Sequence, residues 1–105
     1  MDLSKKRCFA CEGGMPPMPG FLVKKYLKKV KSWKLKKRHL YKEFKFKDFK
    51  SALKFVNKVG KIAEKEGHHP DIYFTWGKCD IELFTHNVKG LSENDFILAA
   101  KIDKI

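Results

Sequence analysis

The chain has 105 residues, enough for one domain with a modest core and too few for two. Hydrophobic residues make up 43% and aromatics 13%, which excludes a disordered polymer, and no apolar stretch approaches the length of a membrane span. The formal net charge is +12, from 24 Lys and Arg against 12 Asp and Glu, which excludes an acidic carrier and makes polyanions the first partners to weigh.

In chain order, residues 1–20 contain Gly13-Gly14, Pro16-Pro17 and Pro19 and read as an irregular tail. A single domain is expected over 21–105. Phe21, Leu22, Tyr26, Leu27 and Val30 have helical spacing. Trp33 to Phe46 has period-two and aromatic character, read as two strands with a turn near Lys36 to Arg38. Asp48 opens the strongest helix, in which Phe49, Ala52, Leu53, Val56, Val59, Gly60 and Ala63 form one stripe, with Gly67 as its terminator. Asp71 to Trp76 and Cys79 to Thr85 alternate as a strand pair around Gly77-Lys78, a glycine-first pair suited to a two-residue turn. Ser92 begins a last helix, with Asp95 completing a capping box. The order α-β-β-α-β-β-α predicts an α+β fold: a four-stranded antiparallel sheet with three helices packed on one face.

Nucleic acid is not the expected partner. Arginine is the usual reader of base edges, and only Arg7 and Arg38 are present. The lysines alternate with apolar residues, as in Lys45-Phe46-Lys47, which fits a solvated face. No N-terminal run resembles a signal peptide, since Lys5-Lys6-Arg7 leads into Cys8. The chain therefore reads as cytoplasmic, and its three cysteines are not expected to form structural disulfides.

Three of the four histidines fall in one neighbourhood, His68 and His69 before Pro70, and His86 at the far end of the second strand pair. With a turn at Gly77-Lys78, Ile72 faces Leu83, Phe74 faces Ile81, and His69 faces His86. Opposed residues on one sheet face lie roughly 4.5–5.5 Å apart at Cβ, so two imidazoles would share a small substrate. Histidine titrates nearest neutrality, which suits proton transfer. The alternative is that His68-His69-Pro70 merely caps a helix end. A metal site is not expected, because the histidine spacing is poor for zinc and Cys8-x-x-Cys11 is half of a knuckle. The tail that carries those cysteines is read as packing back on the domain, with Cys79 a small core residue. Glu64, one helical turn before His68, is a candidate to orient that imidazole or a solvated carboxylate. Asp95 is a candidate to orient a histidine, or a helix cap, or both. Trp33 and Trp76 are candidates to line a pocket for a flat heterocycle, or core residues.

At these residues the chain resembles the pterin-4a-carbinolamine dehydratase family. The pattern runs Glu64-x-x-x-His68-His69-Pro70, Trp76, Thr85-His86 and Leu91-Ser92-Glu93-x-Asp95, with Trp33 and Phe44-x-Phe46-Lys47-Asp48-Phe49 upstream. The resemblance implies the fold deduced above and a dehydratase that removes water from 4a-hydroxytetrahydropterin, giving quinonoid dihydropterin for cofactor recycling. It implies no metal or organic cofactor, and a homodimer or homotetramer. It implies His68, His69 and His86 as the catalytic set, with His68 and His86 as acid and base and His69 holding the pterin. Pro70, Phe84, Thr85 and Asn87 are implied as substrate-binding, with Glu64, Asp95 and Trp33 in support. Gly67 and Ile72 depart from the family pattern, where an acidic residue and a tryptophan are frequent. The competing reading is a non-enzymatic binding module for a protein or nucleic-acid partner on the same fold.

Overall fold

The structure is a computed structural model and describes residues 2–9 and 15–105. Helix α1 spans Gly20–Leu27, and strands β1 (Lys34–Lys36) and β2 (His39–Lys45) follow as a hairpin. Helix α2 spans Phe49–Glu66, strands β3 (Asp71–Thr75) and β4 (Lys78–Leu83) form a second hairpin, and α3 spans Glu93–Ile102. The sheet is antiparallel throughout, in the order β1-β2-β4-β3, so α2 crosses over and the two hairpins meet at β2 and β4. This is the expected α+β architecture.

Alternation decides which face of the sheet is covered. Cys79, Ile81 and Leu83 on β4 and Leu40 on β2 are buried beneath the helices, with Ala52, Phe55, Val59 and Ala63 of α2 and Phe96 to Ala99 of α3. Asp48 starts α2 by accepting a hydrogen bond from the Ser51 amide at 2.8 Å. Gly67 ends it in the left-handed region, at φ 66°, a conformation that costs glycine little.

The second hairpin differs from expectation by two residues. Phe74 pairs with Cys79 and Ile72 with Ile81, so the turn residues are Trp76 and Gly77 rather than Gly77 and Lys78. Gly77 has φ 73° at the second central position, as a type II turn requires. Its carbonyl accepts the Phe46 amide at 2.7 Å, and a Cβ there would lie 3.1 Å from the Phe46 carbonyl oxygen. Pairing to the end of β2 therefore sets the register, a constraint outside the hairpin itself. A two-residue shift preserves the faces, but β3 is an edge strand. Ile72 is partly exposed and Trp76, a candidate pocket or core residue from the sequence, is 66% exposed at the turn.

Residues 2–9 pack against α3. Leu3 lies in a one-turn 3-10 helix, Leu3–Lys5, and is buried in the core. No described helix is long and apolar enough to cross a membrane.

Candidate active site

Two chain reversals build the site. At the end of α2, the Gly67 and His68 amides both turn back to the Ala63 carbonyl. His68 and His69 therefore leave the helix in succession and point to different surroundings. His68 turns inward, its Nε2 2.7 Å from Oδ1 of the fully buried Asp95. His69 turns outward and pairs with Glu64, whose side chain is largely exposed.

The second reversal follows β4. The strand pairing ends at Leu83, and Thr85 bridges to Gly90 through amide–carbonyl bonds of 2.9 and 3.4 Å. That bridge closes a loop containing a one-turn 3-10 helix, His86–Val88. His86 thus sits on a turn and not on a strand, so the expected cross-strand pair of His69 and His86 does not form. Both imidazoles nevertheless line one cleft of about 340 Å³, together with His68, Phe84, Thr85 and Asn87. Phe84 packs edge-on against His86, with ring centroids 5.3 Å apart, and its ring also lies 4.4 Å from that of His39.

Asp95 joins the two reversals. Its Oδ2 accepts the Thr85 hydroxyl at 2.8 Å and the Ser92 amide at 2.9 Å, while Oδ1 meets His68. Ser92 and Asp95 form the capping box of α3. One carboxylate therefore caps a helix, ties down the β4 exit and orients a histidine. Chemically, the cleft offers three imidazoles at its wall, one of them fixed by a buried carboxylate, which is equipment for proton transfer.

The sequence profile of the family described as Pterin 4 alpha carbinolamine dehydratase matches residues 17–105. The chain belongs to this family. A protein of Alkaliphilus metalliredigens, provisionally named a pterin-4-alpha-carbinolamine dehydratase, is 50% identical over 98% of this chain and 95% of its own length. A Rubrobacter xylanophilus protein of the same provisional name is 43% identical over 99% of this chain and 98% of its own. A crystal structure described as transcriptional coactivator/pterin dehydratase from Brucella melitensis superposes with a TM-score of 0.79 at 28% identity, covering 84% of this chain and 96% of that one.

Against this pterin dehydratase framework, four expected residues stand elsewhere. Glu64 pairs with His69 rather than His68, because Asp95 already occupies the inward imidazole. Trp33 is buried in the core and its indole donates to the Asp103 carboxylate at 3.1 Å, so it is not part of the cleft wall. Trp76 is at the hairpin turn, and Pro70 is not among the cleft-lining residues. Two lining residues were not anticipated, Phe9 from the tail and Asn94 from the first turn of α3. No periodicity or spacing in residues 1–20 announces Phe9. Asn94 sits beside Asp95 in the capping segment, and only that adjacency hints at it.

Burial pushes the Cys8 thiol up to about 12, with Glu66 adding to the effect. Glu66 itself is held below the usual carboxylate range, chiefly by accepting the Cys8 amide. The Cys8-x-x-Cys11 pair cannot be followed as a unit, since Cys11 lies outside the described residues. Among the described residues, no three His, Cys, Asp or Glu side chains gather as a metal-binding set.

Proposed function

We propose that this chain is an enzyme, a hydro-lyase that removes water from 4a-hydroxytetrahydropterin and yields quinonoid dihydropterin in tetrahydropterin recycling. The observation that carries this reading is the meeting of His68, His69 and His86 in one cleft, with His68 held by buried Asp95. In the reaction the C4a–oxygen bond breaks, the hydroxyl takes a proton and leaves as water, and a ring nitrogen gives up its proton as its electron pair forms the new C=N bond. With Nε2 of His68 donating to Asp95, Nδ1 is left to accept that proton, and the carboxylate then stabilises the imidazolium. His86 supplies the proton for the leaving hydroxyl. His69, tethered to Glu64 at the cleft edge, holds the pterin with Phe84, Thr85 and Asn87. Solvent returns the proton between the two histidines, so the residues end as they began. The scheme uses no metal and no organic cofactor.

The unpaired thiols of Cys8 and Cys79 support a cytoplasmic location. A second reading, a binding module for a protein or nucleic-acid partner, draws on the +12 charge and on the coactivator in the Brucella structure's description. Stopped-flow dehydration of enzymatically generated 4a-hydroxytetrahydropterin separates the two. Catalysis by the wild-type chain, lowered at least about tenfold in kcat in His68→Ala and in His86→Ala with the fold intact, is the expected result. Equal rates in the wild type and both variants would sink the mechanism.

A further inference from the structure

The tail carries an aromatic side chain into the cleft, and two buried polar groups hold it there. Phe9 is 48% exposed and lines the same cleft as the three histidines. Its backbone is fastened on both sides. The Phe9 amide donates to Oδ1 of Asn94 at 3.0 Å, and Nδ2 of Asn94 donates back to the Phe9 carbonyl. One residue earlier, the Cys8 amide donates to Oε1 of Glu66 at 2.8 Å. Asn94 is 2% exposed and the Glu66 side chain 5%.

These anchors are specific in what they leave free. They grip peptide groups and do not touch the phenyl ring. Further back, Lys6 pairs with Glu93 at 2.8 Å, Lys101 donates to the Ser4 carbonyl at 2.9 Å, and Leu3 is buried. The arm is thus fixed along its length, and its one half-exposed aromatic ring stands at the cleft. Asn94 immediately precedes Asp95, so the same helix turn that orients His68 also sets the height of the Phe9 ring. The match to the family profile begins at residue 17, beyond this arm.

We infer that Phe9 is a wall of the substrate site, stacking on the flat pyrimidine ring of the pterin, with Asn94 as its positioning residue. This rests on the functional reading above and deepens it. A rigid aromatic face prefers an offset partner ring to water, and it loses little side-chain freedom on binding because its backbone is already held. Stacking of this kind acts on bound substrate and bond-breaking state alike, so it appears in KM and hardly in kcat.

The test compares wild type, Phe9→Ala, Phe9→Leu and Phe9→Tyr, with steady-state dehydration and with equilibrium binding of 7,8-dihydrobiopterin followed by fluorescence. The backbone anchors survive all three substitutions, and thermal unfolding checks that the fold does too. Phe9→Ala is expected to raise KM and the probe's Kd about three- to tenfold with kcat within about twofold. Phe9→Tyr restores both to near wild type, and Phe9→Leu does not. An active wild type whose KM and Kd are unchanged in Phe9→Ala overturns this inference alone. Equal rescue by leucine overturns stacking. A wild type that neither dehydrates nor binds the probe overturns the functional reading and this one together.

Discussion

His68 Nε2 and Asp95 Oδ1 are 2.7 Å apart, across an interval of 27 residues, and the other oxygen of that carboxylate caps α3. The start of a helix and the orientation of an imidazole therefore depend on one side chain. A capping residue is positioned by the backbone it caps, so the histidine inherits the rigidity of the helix terminus. Thr85 adds a third bond from the β4 exit, which places the loop bearing His86 relative to the same carboxylate.

Asp95→Asn is expected to lower kcat at least about tenfold, since a neutral amide stabilises an imidazolium poorly. Asp95→Ala is expected to cost activity to the same degree and stability as well, by roughly 1–3 kcal/mol, because the Thr85 hydroxyl and Ser92 amide lose a buried acceptor. Urea unfolding beside steady-state kinetics measures both. An alanine variant as stable and active as wild type would remove Asp95 from the argument.

The thiols set a pH prediction. Burial raises Cys8 to about 12 and Cys79 to about 11, from an ordinary value of 9.0. The folded chain thus keeps two protons that the unfolded chain releases above pH 9. Folding stability is expected to fall as pH rises from about 9 toward 11–12 through this linkage. Below pH 9 both states hold these protons and the contribution is flat. The same shifts leave little thiolate at pH 8, so Cys8 and Cys79 should alkylate with iodoacetamide far more slowly in the native protein than in urea, as peptide mass mapping would read. Native labelling of either residue at the urea rate would contradict the burial.

Much of the fold was legible because local signals agreed with the global arrangement. The Asp48 cap, the Gly67 terminator and the Ser92–Asp95 box each stand in the sequence and each form as read. The α2 stripe forms in part: Ala52, Val59 and Ala63 are buried, but Phe49 and Leu53 are exposed and Phe55, outside the stripe as read, is in the core. The neighbourhood of His68, His69 and His86 was legible too, but the reason given for it was not the one that operates. A turn at Gly77-Lys78 would have paired His69 with His86 on strands. The register is instead set by Phe46 reaching Gly77 from another hairpin, and His86 comes to the cleft on a turn closed by Thr85 and Gly90. Non-local pairing of this kind leaves no periodic trace. Phe9 was illegible for a related reason, since its placement rests on Asn94, 85 residues further along the chain, and on the bond from the Cys8 amide to Glu66, 58 residues beyond Cys8.

The uncovered parts of the surface bear on assembly. Phe49 and Leu53 on α2, Ile72 and Tyr73 on β3, and Trp76 at the turn are all exposed apolar or aromatic side chains, and β3 is an open sheet edge. A small domain profits from covering such groups. A homodimer or homotetramer is expected, and with +12 on each chain, added salt should strengthen association by screening. Light scattering across micromolar protein and rising salt checks this. A mass near 12.3 kDa at every concentration would show that the chain stays a monomer.

The hairpin joining β1 and β2 carries strain that sequence changes can relieve. Lys37 and Arg38 form its two-residue turn, and both lie in the left-handed region, at φ 51° and 67°. Such a turn matches the twist of the strands but suits Asn-Gly, because a lysine or arginine Cβ crowds the backbone there. Neither residue lines the cleft, so the strain has no visible role in the proposed chemistry. Replacing Lys37 by Asn and Arg38 by Gly is expected to stabilise the protein by about 1 kcal/mol, a rise of roughly 4–8 °C in Tm for a domain of this size. The replacement also removes two positive charges from a chain of +12, which by itself reduces self-repulsion. A Lys37→Gln, Arg38→Gln variant removes the same charge without the tolerance for positive φ. If the gain comes from backbone conformation, the Asn-Gly variant exceeds the Gln-Gln variant in urea midpoint while kcat and KM stay at wild-type values. Equal midpoints would assign the whole gain to charge and leave the turn without measurable strain.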